Sequence, residues 1–126
     1  MELKSQQYSL KSFELVKKRL GTIKREEQEK YKTFAKRFPS LIHTCGLEQA
    51  ISFANSKKDY EPNFKDLEKV LKQTKVLKEE ANFIKFSQNA SLAEYLRLSK
   101  EALIVAGWLK KYAEALIEDT EATEEE

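Results

Sequence analysis

Glycine and proline are scarce, at three and two residues in a chain of 126. So few turn-formers leave little means of making the many tight connections of an all-β fold. Cysteine occurs once, at Cys45, so no internal disulfide forms, and a reducing compartment such as the cytoplasm is expected. Histidine also occurs once, at His43; one imidazole and one thiol do not supply the four ligands of a zinc site, and no metal or other cofactor is expected. Residues 1–7 are polar where a secretory signal would turn apolar, and no window approaches 18 apolar residues, so no membrane role is expected. None of the three glycines lies near another, which excludes a glycine-rich phosphate loop.

What is present is helix-forming. Apolar residues make up 40% and charged residues 35% of the chain, with Lys, Glu, Leu and Ala dominant, so the composition predicts an all-α fold. The expected architecture is a single-domain bundle of five to six helices over residues 1–117 with a long C-terminal helix. An acidic tail over residues 118–126 contains six acids and no base and is expected to be disordered, having little apolar surface to bury.

Taken in order, Leu10, Phe13, Val16, Leu20 and Ile23 recur at three- and four-residue steps and predict an amphipathic first helix. The run Lys24–Lys30 holds no apolar residue, yet Glu26 and Lys30 are spaced as a supportive i,i+4 pair, so the first helix is expected to continue through it to Phe38. Pro39 is expected to end that helix, with a short helix over Ser40–Cys45 and Gly46 as a left-handed cap. Leu47–Ser56 reads as helix and residues 56–63 as a loop. Phe64, Leu67, Val70, Leu71, Thr74 and Leu77 read as a helix of about four turns, and residues 81–86 as a short turn before a loop.

Ser91 and Glu94 form a capping box at the start of the final segment, which runs to Ile117. Its apolar face is read as Leu92, Tyr95, Ala102, Ala106, Leu109, Ala113 and Leu116. Ile104 and Trp108 project from the other side, beside Arg97 and Lys111. Trp108 is expected to be an inner anchor near Phe13, Leu20 or Phe34, the alternative being a contact between subunits.

Charge is uneven along the chain. Residues 1–40 hold eleven Lys or Arg against five acids, and the body without its tail is basic, as suits a polyanionic partner. Three candidate RNA-contacting groups follow: Lys17, Lys18 and Arg19 with Lys24 and Arg25; Lys36 and Arg37; and Arg97 with Lys111. Reversing Lys17, Lys18 and Arg19 to Glu is expected to weaken RNA retention without unfolding the chain. No catalytic residue is assigned. Arg37 and His43 share the Arg-x5-His spacing of helical ribonucleases found in prokaryotic toxins and defence systems, which makes RNA cleavage an alternative; a helical adaptor that binds only proteins is another.

Two stretches resemble a known family. Tyr31–Phe53, with Gly46, Leu47, Gln49, Ala50 and Phe53 as a Gly-Leu-x-Gln-Ala-x-x-Phe segment, is similar to a corner of the small helical subunit of type III-B CRISPR effector complexes, the fifth protein of the Cmr module. Tyr95, Arg97, Leu103, Trp108, Leu109, Lys110, Lys111, Tyr112 and Ala113 resemble that family's closing helix. The resemblance implies a non-catalytic, all-helical subunit that stacks as copies along an antiviral ribonucleoprotein complex. Its implied partners are other Cmr effector subunits, guide RNA and target RNA. Phosphate contacts without sequence reading fit that role.

Overall fold

The spacing of Ser91 and Glu94 does start the longest helix. Ser91 Oγ accepts the Glu94 N–H at 3.2 Å and the Glu94 carboxylate accepts the Ser91 N–H at 2.9 Å, satisfying two donors that a bare helix end leaves open. Hydrogen bonding to the carboxylate from the Ser91 backbone N–H and side chain holds the Glu94 carboxyl below its ordinary range, the nearby Arg97 charge adding to the effect.

The computed structural model describes residues 3–118, and these are all-α: α1 (Lys4–Thr22), α2 (Arg25–Cys45), α3 (Leu47–Ser56), α4 (Glu61–Gln73), α5 (Phe83–Asn89) and α6 (Leu92–Leu116). Most of the acidic tail lies outside the described residues. A continuous core draws on every helix, and α6 runs through it with α2 and α1 as its main neighbours. None of these helices is long and apolar enough to cross a membrane.

The buried face of α6 is Leu98, Ala102, Val105, Ala106, Leu109 and Ala113. Leu98 and Val105 widen the expected face toward α1, while Leu92 is 74% exposed. The wider arc moves Trp108 from the opposite side of the helix to the margin of its core face, since each residue turns the helix by about 100°.

Two expectations about α1 and α2 are corrected. The first helix does not run through Lys24–Lys30: Ile23 and Lys24 are extended, and α2 starts at Arg25. Gln28 donates its side-chain amide to the carbonyls of Leu20 and Ile23, both at 3.2 Å, which satisfies the open end of α1. Glu27 accepts the Lys24 N–H at 2.9 Å, and Glu26 and Glu27 sit in the first turn of α2, where the helix dipole favours negative charge. Lys30 pairs with Asp59 at 3.4 Å rather than with Glu26.

Nor does Pro39 end a helix; it lies inside α2, so Ser40–Cys45 is the end of α2 and not a separate helix. An interior proline costs about 3 kcal/mol. Phe34, Ala35, Phe38 and Ile42, buried on either side of it, offset that cost by packing. Phe34 stacks on Tyr60 at 4.3 Å and meets Phe38 at 4.8 Å between ring centroids.

Gly46 does adopt positive φ, at 91° with ψ 155°, an extended mirror-image conformation that is nearly glycine-only. It closes α2 and opens α3 at one residue. Tyr95 of α6 reaches this corner, its hydroxyl accepting the Glu48 N–H at 3.0 Å. The two stretches that carry the family resemblance are therefore packed against one another.

The apolar positions expected in the fourth helix, Phe64 through Leu77, are all buried. Helix α4 begins earlier than expected, with Pro62 in its first turn, where a missing N–H costs nothing. Helix α5 extends through Ser87, Gln88 and Asn89, positions expected to be loop.

Candidate nucleic-acid interface

Helix α1 separates the densest cluster of cations in the sequence. Lys17, Lys18 and Arg19 are consecutive, so their side chains leave the helix about 100° apart. Arg19 turns inward: its Nη2 lies 2.9 Å from Asp66 Oδ1 and its Nε 3.0 Å from Oδ2. The Arg19 side chain is a quarter exposed and that of Asp66 only 3% exposed. Bidentate guanidinium–carboxylate geometry of this kind is among the strongest polar contacts available to a protein. Burial works against the Arg19 charge, but hydrogen bonding and attraction to Asp66 leave its pKa raised.

Asp66 also accepts the buried Tyr31 hydroxyl at 2.7 Å, while Asn63 donates its side-chain amide to the Tyr31 carbonyl at 3.1 Å. Burial, followed by the Asp66 charge and hydrogen bond, pushes the Tyr31 phenol well above its ordinary range. Arg19, Tyr31 and Asp66 thus link α1, α2 and α4 through a neutralised polar floor.

Lys18 faces the cleft above that floor. The cleft, of about 260 Å3, is lined by Leu15, Lys18, Arg19, Thr22, Lys65, Asp66 and Lys69. Lys18, Lys65 and Lys69 are all exposed. Lys65 has a loose pair with Glu61 at 3.8 Å, and the one acid in the cleft already faces Arg19 and Tyr31. The rim is therefore positive over a neutral floor, an arrangement that attracts phosphate without reading bases.

Lys17 goes the other way and stays exposed, over the Phe13 edge of a groove between α1 and α6. Its ammonium lies 5.7 Å from the Phe13 ring centroid, as Lys111 lies 5.3 Å from that of Trp108. Trp108 stacks on Tyr112 at 5.9 Å and Tyr112 meets Phe13 edge-on at 5.4 Å. Ser5, Gln6, Ser9 and Leu10 complete a groove of about 370 Å3. Trp108 is half-buried: it lines the groove with Phe13, each ring meeting Tyr112, and does not sit deep inside the core. Ser9 and Tyr112 hydroxyls, 2.6 Å apart, and the hydrogen bond from Tyr8 to Glu101 fasten the two helices beneath it.

The other expected contacts disperse. Lys24 is exposed at the head of α2, and Arg25 is engaged with Glu118, the ion pair measuring 3.5 Å. Lys36 and Arg37 are exposed on α2, and Arg97 is exposed on α6. Lys65 and Lys69 were not among the expected contacts; the signal available in sequence was their four-residue spacing, which puts both on one face of α4. Arg37 and His43 are exposed on the same continuous helix, and six residues of separation turn them about 120° apart.

The family model for CRISPR-associated protein (Cas_Cmr5) matches residues 4–116. The chain belongs to the Cas_Cmr5 family. It is 34% identical over 123 residues to the CRISPR system Cmr subunit Cmr5 of Thermus thermophilus, a match covering 94% of this chain and 100% of the relative. The fold is similar to the X-ray crystal structure of a CRISPR-associated Cmr5 family protein from the same species. That likeness has a TM-score of 0.73 at 30% identity and covers 94% of this chain and 100% of the other. The Cas_Cmr5 match includes all three helices that build the basic cleft and its floor.

Proposed function

We propose that this chain is a non-catalytic structural subunit of a type III-B CRISPR (Cmr) ribonucleoprotein effector complex in antiviral defence. It joins other Cmr effector subunits and further copies of itself, and contacts target RNA through phosphates without reading sequence. Family membership supports the assembly. The observation that carries the RNA role is the convergence of Lys18, Lys65 and Lys69 over a floor whose charges already pair with one another. Single-stranded RNA offers closely spaced phosphates, and a positive cleft that tracks them gains affinity by releasing counterions. Lys17 and Lys111, beside the aromatic groove, belong to a second surface better suited to protein, because half-buried aromatic side chains lining an apolar groove are typical interface anchors. Arg37 and His43 do not converge, which favours a scaffold over a nuclease.

The test is affinity purification of the tagged chain from its native cell, parent beside Lys18→Gln/Lys65→Gln/Lys69→Gln. Other Cmr subunits and guide RNA should accompany both, while target RNA retention should fall in the variant. Absence of the other subunits contradicts the assembly; equal retention of target RNA leaves a protein-only adaptor as the function.

A further inference from the structure

The α1–α4 cleft presents charge and little else, which bears on the kind of strand it can hold. Telling RNA from DNA takes a hydrogen-bonding group free to meet the 2′-hydroxyl. The carboxylate of the cleft is already engaged. Asp66 Oδ1 accepts from Arg19 Nη2 at 2.9 Å, and Oδ2 accepts from Arg19 Nε at 3.0 Å and from the Tyr31 hydroxyl at 2.7 Å. With its side chain 3% exposed, Asp66 lies beneath the reach of a ribose at the rim. The Thr22 hydroxyl donates within its own helix, to the Lys18 carbonyl at 3.2 Å and the Arg19 carbonyl at 3.3 Å. Among the described residues, none that lines the cleft is aromatic, so a base gains no stacking by turning inward.

The groups left to meet a ligand are the ammoniums of Lys18 on α1 and of Lys65 and Lys69 on α4, all exposed. Glu68, next to Lys69, pairs with Lys72 at 3.6 Å instead. A lysine ammonium is a compact point charge on a flexible stem, and its charge favours an anionic phosphate oxygen over a neutral hydroxyl. We infer, resting on the phosphate role proposed for this cleft, that it is blind to the sugar: it holds the backbone of a single strand of DNA as readily as one of RNA. Its ligand class is single-stranded phosphodiester of either sugar. Any preference of the assembled complex for RNA is then set by other surfaces.

The experiment titrates the full chain with fluorescent 20-nucleotide oligouridine and oligodeoxyuridine at about 0.05 to 0.2 M salt. Parent, Lys18→Gln/Lys65→Gln/Lys69→Gln and Thr22→Val are compared, and the quantity read is the affinity that each strand loses in the lysine variant. The two losses should agree within about 3-fold, less than one net hydrogen bond contributes. The slope of log affinity against log salt should become shallower by about 2 for both strands, and Thr22→Val should leave the ratio of the two affinities unchanged. A larger difference between the losses, or an RNA preference that Thr22→Val abolishes, would overturn sugar blindness while leaving RNA binding in the cleft intact. No loss for either strand would remove the phosphate role itself, and the inference with it.

Discussion

The two grooves that flank α1 differ in what lies beneath their lysines. Under Lys18 is a polar floor, with Arg19, Asp66 and Tyr31 joined by hydrogen bonds; under Lys17 is the Phe13 ring, the near edge of an aromatic floor that continues through Tyr112 to Trp108. Adjacent residues on one helix thus serve unlike surfaces. A paired floor lets rim lysines act as plain charges toward solvent, whereas an aromatic floor gives apolar area that a protein neighbour can cover. Leu10 at 46% and Ile104 at 40% exposure extend the apolar side. Charge density in the sequence is thus a poor guide to which surface a cation joins.

The largest expected effect comes from breaking the polar floor. Asp66→Ala leaves the Arg19 guanidinium partly buried without its partner and the Tyr31 hydroxyl without its acceptor. Loss of about 3 kcal/mol of unfolding free energy is expected in urea titration. A loss under about 1 kcal/mol would mean that the floor does not hold α1 to α4. Arg19→Glu should also destabilise, by facing one carboxylate with another, so the triple reversal of Lys17, Lys18 and Arg19 is not the clean charge test expected from sequence.

The aromatic groove should be less costly to break. Trp108→Ala removes a half-buried ring and should lower stability by about 1–2 kcal/mol while weakening co-purification of neighbouring subunits. Wild-type co-purification would show that the groove is not an assembly surface. Ser12 is fully buried in α1, and its hydroxyl has no hydrogen-bond partner among the described residues. Ser12→Ala should raise stability by about 1 kcal/mol in the same titration; destabilisation would reveal a partner for the hydroxyl.

Alkaline pH separates the two helix contacts most finely. Tyr31 in the polar floor is pushed up by burial and then by Asp66, and Tyr8 beneath the aromatic groove by burial and then by Glu101. A phenol with a raised folded-state pKa contributes stability that is fully present below the unfolded value of about 10 and is lost as pH rises through and beyond it. Tyr31→Phe and Tyr8→Phe should each flatten the stability loss above about pH 10, Tyr31→Phe more so because its phenol also faces a buried carboxylate. Parallel pH profiles for parent and variants would contradict this.

Much of the fold was legible because its signals are local. The Ser91–Glu94 box, the Gly46 corner and the buried positions of α4 need only spacing and backbone preference. The errors arose where tertiary contacts outweighed those preferences. Pro39 sits inside α2 because aromatic packing spans it, and the break after Thr22 is stabilised by Gln28 reaching back across the gap. Of the predicted α1 stripe, Val16 is buried but Leu10 is exposed, because the face that packs inward carries Tyr8, Ser12 and Leu15. Two of those residues look polar in a sequence. The candidate site was legible in its charge but not in its grouping: Asp66 lies 47 residues from Arg19, and no local pattern announces their pairing.

In the proposed function, the α1–α4 cleft, and not the α1–α6 groove, meets the RNA backbone. The direct measurement is the salt dependence of target RNA affinity in the assembled complex, carrying either Lys18→Gln/Lys65→Gln/Lys69→Gln or Trp108→Ala. With three phosphate contacts per copy at stake, the slope of log affinity against log salt should become shallower by about 2 for the lysine variant in a complex with one copy, and by more with several. The Trp108 variant, once assembled, should keep the parental slope. An unchanged slope in the lysine variant, or an equal change in both, would contradict the account.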